Sequence, residues 1–262
     1  MPAGAPAAGA PGDDPFRTAD LRAAVLTTWS AAPARFREDA NAEELLSIGY
    51  RGRVIAELAA NGADAARAAG VPGEIAISMV GRELRVANNG APLDAAGVAA
   101  LASLRASAKR GEASVGHFGV GFTAVRALTD EPMIVSTTGA VRFSVAETHR
   151  VVTELDDPRL DEELRQRHGE LPALRLPWPV PVAAREGDGG VADTPVGYAT
   201  EVRLPLRAAI DAAALAGELT RQLAMDLLWA LPDLVAVTVP GLRVERAQAG
   251  DTGIGSVTVI PV

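Results

Sequence analysis

The change of hydrophobic period at Gly70-Val71-Pro72 constrains this chain more than any other feature. Tyr50 to Ala69 carries apolar residues at helical spacing and is closed by Gly70 and Pro72, residue types that stop a helix. Glu74 to Val80 then alternates Ile75, Ile77 and Met79 on one face, and Glu83 to Ala87 alternates Leu84 and Val86, with Gly81 between them as the turn. A long amphipathic helix that runs directly into an antiparallel hairpin requires a fold mixing helices with a sheet.

The remaining patterns extend this arrangement. Thr18 to Ser30 and Ala34 to Leu46 show helical periodicity broken at Pro33. Leu93 to Ala108 is a further helix, Arg110 to Val115 a short polar loop, and Gly119 to Leu128 another helix start. Pro132 to Thr137 and Val141 to Glu147 predict a second hairpin around Thr138, Gly139 and Ala140. Residues 156 to 196 are rich in proline, glycine and charge, and read as an irregular insertion with a helix at Leu160 to Arg167 and a strand at Leu174 to Leu176. Tyr198 to Leu206 is a strand and Ala208 to Ala230 one long helix; Leu234 to Val239, Leu242 to Ala247 and Val257 to Ile260 form a three-stranded meander. The expected division is a disordered tail at 1 to 14, a main domain at 15 to 206, and a helix-and-strand extension at 207 to 262.

Composition removes several functions. Without cysteine there is no disulfide, thiolate nucleophile or thiolate metal site, and His117, His149 and His168 lack ligand spacing. A net charge of -8 disfavours nucleic acid and anionic lipid as partners. No stretch approaches the roughly 20 apolar residues of a spanning helix, and residues 1 to 14 lack the marks of a signal peptide, so the expected address is the cytoplasm. Rare residues stand out against this background. Lys109 is the single lysine, and asparagine occurs only at Asn41, Asn61, Asn88 and Asn89.

Glu57, Asn61 and Asp64 are spaced i, i+4 and i+7, which places them on one face of the helix that ends at Ala69. Taken alone, such a stripe reads more readily as a solvated face. The strand ending at Ala87 leads into Asn88-Asn89-Gly90-Ala91-Pro92, and Gly116-His117-Phe118-Gly119-Val120-Gly121-Phe122 opens a later helix. Glycines at a helix start form an anion cradle, because phosphate can approach bare main-chain N–H groups; without a ligand the same run is a surface turn. The glycine spacing is not that of a dinucleotide-binding fingerprint, and no Lys-Ser or Lys-Thr pair completes a P-loop.

In this order, the three segments resemble the N box, G1 box and G2 box of the GHKL ATPases, closest to the N-terminal domains of Hsp90-like and sacsin-like proteins. Tyr198-Ala199-Thr200-Glu201-Val202 resembles the later strand whose threonine supports the adenine site. The resemblance covers roughly residues 45 to 206. It implies a two-layer α/β sandwich, with helices on one face of a mixed, mostly antiparallel sheet, and ATP with magnesium between the layers. Glu57 matches the general base, and Asn61 the magnesium ligand, with Asp64 beside them. Asn88 and Thr200 match the adenine contacts, and Gly90 belongs to the same box. Lys109 and the run Gly116, His117, Phe118, Gly119, Val120, Gly121 and Phe122 match the phosphate site. A compact ammonium suits phosphate, and a solvated loop charge is the alternative reading of Lys109. The implied activity is slow, magnesium-dependent ATP hydrolysis, associated in such proteins with protein quality control. The implied partners are ATP and ADP, client proteins or further domains of a longer chain, and a second copy in a nucleotide-dependent dimer. A non-hydrolysing nucleotide switch and a degenerate scaffold are the alternatives.

Asn88 departs from the family pattern, which has aspartate there. Asparagine keeps an acceptor but loses the charge, worth about 1 kcal/mol or roughly fivefold in affinity, so weakened adenine binding is expected. Asp251-Thr252-Gly253-Ile254-Gly255 spells the G1 pattern more closely, but it lies between two short strands and reads as a hairpin turn. Trp29, Trp178 and Trp229 are expected in the core or in a groove.

Overall fold

The architecture follows from where each apolar stripe is buried. The computed structural model describes residues 14–50, 52–103, 121–167, 170–180, 193–247 and 256–262. Helices α1 (Thr18–Ala31) and α2 (Pro33–Gly49) come first, with Pro33 in the first turn of α2, where its missing N–H costs nothing. Helix α3 (Val54–Ala69) has the strongest stripe of the three and ends at Gly70, whose φ of 65° is the left-handed conformation that terminates helices. Strands β1 (Gly73–Val80) and β2 (Glu83–Asn88) form the expected antiparallel hairpin.

Next come α4 (Ala95–Ser103), a 3₁₀ segment at Gly121–Ala127, and strands β3 (Met133–Ser136) and β4 (Gly139–Arg142). These are followed by helices α5 (Val145–Thr153) and α6 (Pro158–Gln166), a 3₁₀ turn at Ala173–Arg175, β5 (Trp178–Pro179) and β6 (Thr200–Pro205). The chain continues through α7 (Ala212–Glu218), α8 (Arg221–Ala230), β7 (Leu234–Val239), β8 (Leu242–Arg246) and β9 (Val257–Pro261).

The strands form one nine-stranded sheet in the order β5-β4-β3-β6-β2-β1-β7-β8-β9. Pairing is antiparallel except between β1 and β7. Val86, Val202 and Ile134 are register partners across β2, β6 and β3, and they face a core that also holds Leu58 and Ala63 of α3, Leu101 of α4, Phe122, and Leu227 and Leu228 of α8. The fold is therefore mixed α/β, with a mixed sheet whose apolar face is covered by helices. A second cluster joins Trp29, Phe36, Val152, Leu160, Leu176 and Trp178, in which Trp29 meets Phe36 edge-on at 5.0 Å between ring centroids. Trp29 and Trp178 are core residues, whereas Trp229 is exposed.

Several sequence expectations are corrected. The strand expected up to Glu147 stops at Arg142, because Ser144 caps α5 by accepting from the Glu147 N–H. Leu174 to Leu176 is a 3₁₀ turn and its edge rather than a strand, and it buries Leu174 and Leu176 all the same. The helix expected over Ala208 to Ala230 is two helices, since the Thr220 hydroxyl accepts from Leu223 N–H and starts α8 afresh. Within the described part of residues 156–196, the expected helix at Leu160 to Arg167 is α6, and with the 3₁₀ turn and β5 it supplies Leu160, Leu164, Leu174 and Trp178 to the core. The C-terminal strands, read as an extension, lie in the same sheet, because β7 pairs with β1.

Candidate functional site

The end of β2 carries the first candidate residue into the space between sheet and helices. Asn88 is in register with Thr200 of β6, and Thr200 with Ser136 of β3, so three polar side chains form one row across adjacent strands. The row lies two residues beyond Val86, Val202 and Ile134, on the same face of the sheet. On the helix side, Asn61 of α3 follows Leu58, which is in the core.

A cleft of about 240 Å³ opens between these walls. Asn61, Asn88, Thr200 and Phe122 line it, together with Leu58, Ala65, Val86, Leu93, Asp94, Leu101, Ile134 and Val202. A mostly apolar cavity with a few convergent polar groups is the usual form of a small-molecule site. Ser136 Oγ accepts from Leu93 N–H and donates to Ala199 O, both at 3.0 Å, and lies 3.1 Å from Thr200 Oγ1. Asn88 Oδ1 accepts from Gly90 N–H at 3.2 Å, and the Asn61 side chain makes no hydrogen bond among the described residues.

Gly90 acts through what it lacks. A Cβ there would stand 2.4 Å from the backbone C of Ala65 and N of Ala66, so the turn after β2 lies directly on α3, tied by Ala91 N–H to Ala65 O at 2.9 Å. Asn89 closes the strand end, accepting from Glu74 N–H and donating to Pro72 O. Gly121 works in the same way: a Cβ would meet Glu57 Oε2 at 2.6 Å, so the carboxylate occupies the space a side chain would need. Glu57 does not line the cleft itself; its Oε1 is 3.5 Å from Arg53 Nη2. Asp64 points elsewhere, to Arg67, which reaches on to Asp233 at 3.2 Å. Lys109, Gly116, His117, Phe118, Gly119 and Val120 lie outside the described residues, as do residues 251 to 255, which fall between β8 and β9.

Sequence reasoning missed three features, two beside the cleft and one buried ion pair apart from it. Ser136 ends a strand without any motif. Asp94 does carry a signal, an aspartate just ahead of an apolar helix, and its carboxylate accepts from Gly97 N–H at 2.7 Å. The third is the buried pair Glu43–Arg126 at 3.0 Å, which joins α2 to the segment containing Gly121 and Phe122. Arg126 also binds Asp130, and Glu43 accepts from Leu174 N–H. Burial pushes the Glu43 carboxyl up to about 7, against the opposing pull of Arg126 and the Leu174 N–H.

No protein-family model matches the chain, and no curated protein does. Among the described residues, no helix is long and apolar enough to cross a membrane, and no cluster of three or more His, Cys, Asp or Glu side chains is placed to hold a metal ion.

Proposed function

We propose that the cleft binds a nucleoside triphosphate with magnesium, as the GHKL resemblance implies, and that the chain hydrolyses it slowly. The observation that carries this reading is the convergence of Asn61, Asn88, Thr200 and Phe122, from four separate segments, on a single apolar cleft. The sheet row supplies polar contacts for the base, and the apolar walls accept its faces. Asn61 presents a carboxamide with no hydrogen-bond partner among the described residues, a hard oxygen ligand suited to an ion that keeps most of its waters. Magnesium held there would neutralise charge on the phosphates. Glu57 lies one helical turn from Asn61 and is the group that would orient and deprotonate water.

Calorimetric titration with a non-hydrolysable ATP analogue and magnesium tests the reading, with Asn61→Ala in parallel. Saturable binding that the substitution weakens at least tenfold is the expected result. Absence of heat and of thermal stabilisation up to millimolar ligand refutes it.

The placement of Glu57 favours a second reading, a nucleotide-sensing switch without turnover. Its carboxylate is outside the cleft lining and paired with Arg53. Turnover in the wild type that Glu57→Ala abolishes while binding persists selects the ATPase; no turnover in either protein selects the switch.

A further inference from the structure

The two edges of the sheet differ. At one end β5 is two residues long and finishes at Pro179, which cannot donate to a further strand. At the other end lies β9, and no strand among the described residues pairs with its outer side. It carries no charged residue, a common device for blunting an edge. The bonds that hold it to β8 show which of its backbone groups are left open. Ala247 N–H donates to Ser256 O, and Val262 N–H to Gly241 O. In an antiparallel ladder such bonds recur at every second residue, so with Arg243 opposite Ile260 and Glu245 opposite Thr258, the backbone groups of Ser256, Thr258, Ile260 and Val262 face β8. Val257 and Val259 therefore turn their N–H and C=O groups outward. Pro261, next in that series, has a carbonyl but no N–H.

We infer that β9 is the edge through which two copies of this chain join, antiparallel about a twofold axis at Thr258. In that register Val257 lies opposite Val259 of the second copy, and the reverse, so the open N–H and C=O groups of both residues are used in each chain. The side chains agree with it. Val257 and Val259 are on the helix-covered face, where both already pack against the core, and they meet each other across the join. Thr258, exposed on the opposite face, meets its own twin, a favourable cross-strand pair. No like charges are set against each other across the strand pair, because the neighbouring charged residues Arg243 and Glu245 sit one strand in, on β8, and pair with each other at 2.6 Å. Moving the axis to Val259 would instead drive the Pro261 ring against the Val257 carbonyl of the other copy. Every pairing in the register is supplied by the strand itself, which points to a second copy as the occupant. The contact uses no residue of the cleft, so the dimer forms without nucleotide.

One strand pair is smaller than the roughly 1,200 Å² that stable protein pairs bury, so monomer and dimer are expected to exchange at micromolar concentrations. Sedimentation velocity on the full chain, without nucleotide and over a concentration series, is expected to show the mass rising from one copy toward two. Cross-linking reads the register, and the absence of cysteine makes it clean. Opposed residues of the kind formed by Thr258 and its twin have Cα atoms about 4.5 Å apart, within disulfide reach, so Thr258→Cys is expected to give a disulfide-linked dimer on mild oxidation. Ser256→Cys, exposed on the same strand, lies roughly 13 Å along the strand from its twin and is expected to stay unlinked. Val259→Pro removes an outward N–H that β8 does not use and is expected to weaken the dimer roughly tenfold, with the unfolding midpoint reporting whether the sheet is intact. Should that variant fold poorly, the cysteine pair decides alone. A chain that stays monomeric throughout, a dimer that appears only with nucleotide, or cross-linking that does not favour position 258 over 256 overturns the inference.

Discussion

Replacing Gly90 with alanine should damage the join between the candidate site and its supporting helix. The added Cβ would stand 2.4 Å from the Ala65 carbonyl carbon and the Ala66 nitrogen, both backbone atoms of α3 that have no rotamer with which to yield. Ordinary carbon contacts lie at about 3.5 to 4.0 Å, so the turn must retreat by about 1 Å. That movement would break the bond from Ala91 N–H to Ala65 O, now 2.9 Å. Overpacking of this kind costs about 1–3 kcal/mol and the lost hydrogen bond about 1 kcal/mol, so a total near 3 kcal/mol is expected. In a chain of this size, each kcal/mol lowers the unfolding midpoint by about 2–4 °C, which gives a fall of roughly 6–12 °C. Thermal unfolding followed by circular dichroism measures it. Gly217→Ala in α7 is the control: a Cβ there meets nothing within 4 Å, and the change should be neutral or stabilise by up to about 1 kcal/mol. A Gly90→Ala midpoint within 2 °C of the wild type would refute the close-approach argument.

Two further expectations concern charged groups. The Glu43 carboxyl is raised from 4.5 to about 7, so between those values the folded chain holds a proton that the unfolded chain has lost. Its contribution to stability is therefore fully present below pH 4.5 and is lost as pH rises through 7, with a slope of at most about 1.4 kcal/mol per pH unit for one proton. Unfolding midpoints of the wild type should fall relative to Glu43→Gln between pH 5 and 8, and parallel profiles would contradict the assignment. Asp64→Ala should leave nucleotide affinity unchanged, since Asp64 faces Arg67 and not the cleft, and should shift stability by no more than about 0.5 kcal/mol as a part-exposed ion pair. A tenfold loss of affinity in calorimetry would show that Asp64 turns into the cleft on binding.

Local pattern was enough for the elements whose signal lies in neighbouring residues. The helix before Gly70, the β1–β2 hairpin and the C-terminal meander were legible because their periods, 3.6 and 2, repeat over several turns or pairs and are closed by glycine or proline. The alignment of Glu57 and Asn61 on one face of a helix was legible for the same reason. Where a single polar side chain decides an outcome, periodicity misled. The caps at Ser144 and Thr220 turned an expected strand into the start of α5 and split an expected helix into α7 and α8.

What the sequence determined by itself is a set of short-range preferences: which segments are helix or strand, and which polar residues share a face within one element. Only the tertiary structure decided that β7 lies parallel to β1, that Ser136 joins Asn88 and Thr200 in one row, and that Gly90 rests on the backbone of Ala65. It also turned Asp64 away to Arg67 and set Glu43 against Arg126, 83 residues distant. Such contacts depend on strand order and helix packing, which are settled by burying the whole apolar surface at once. No window of neighbouring residues contains that information.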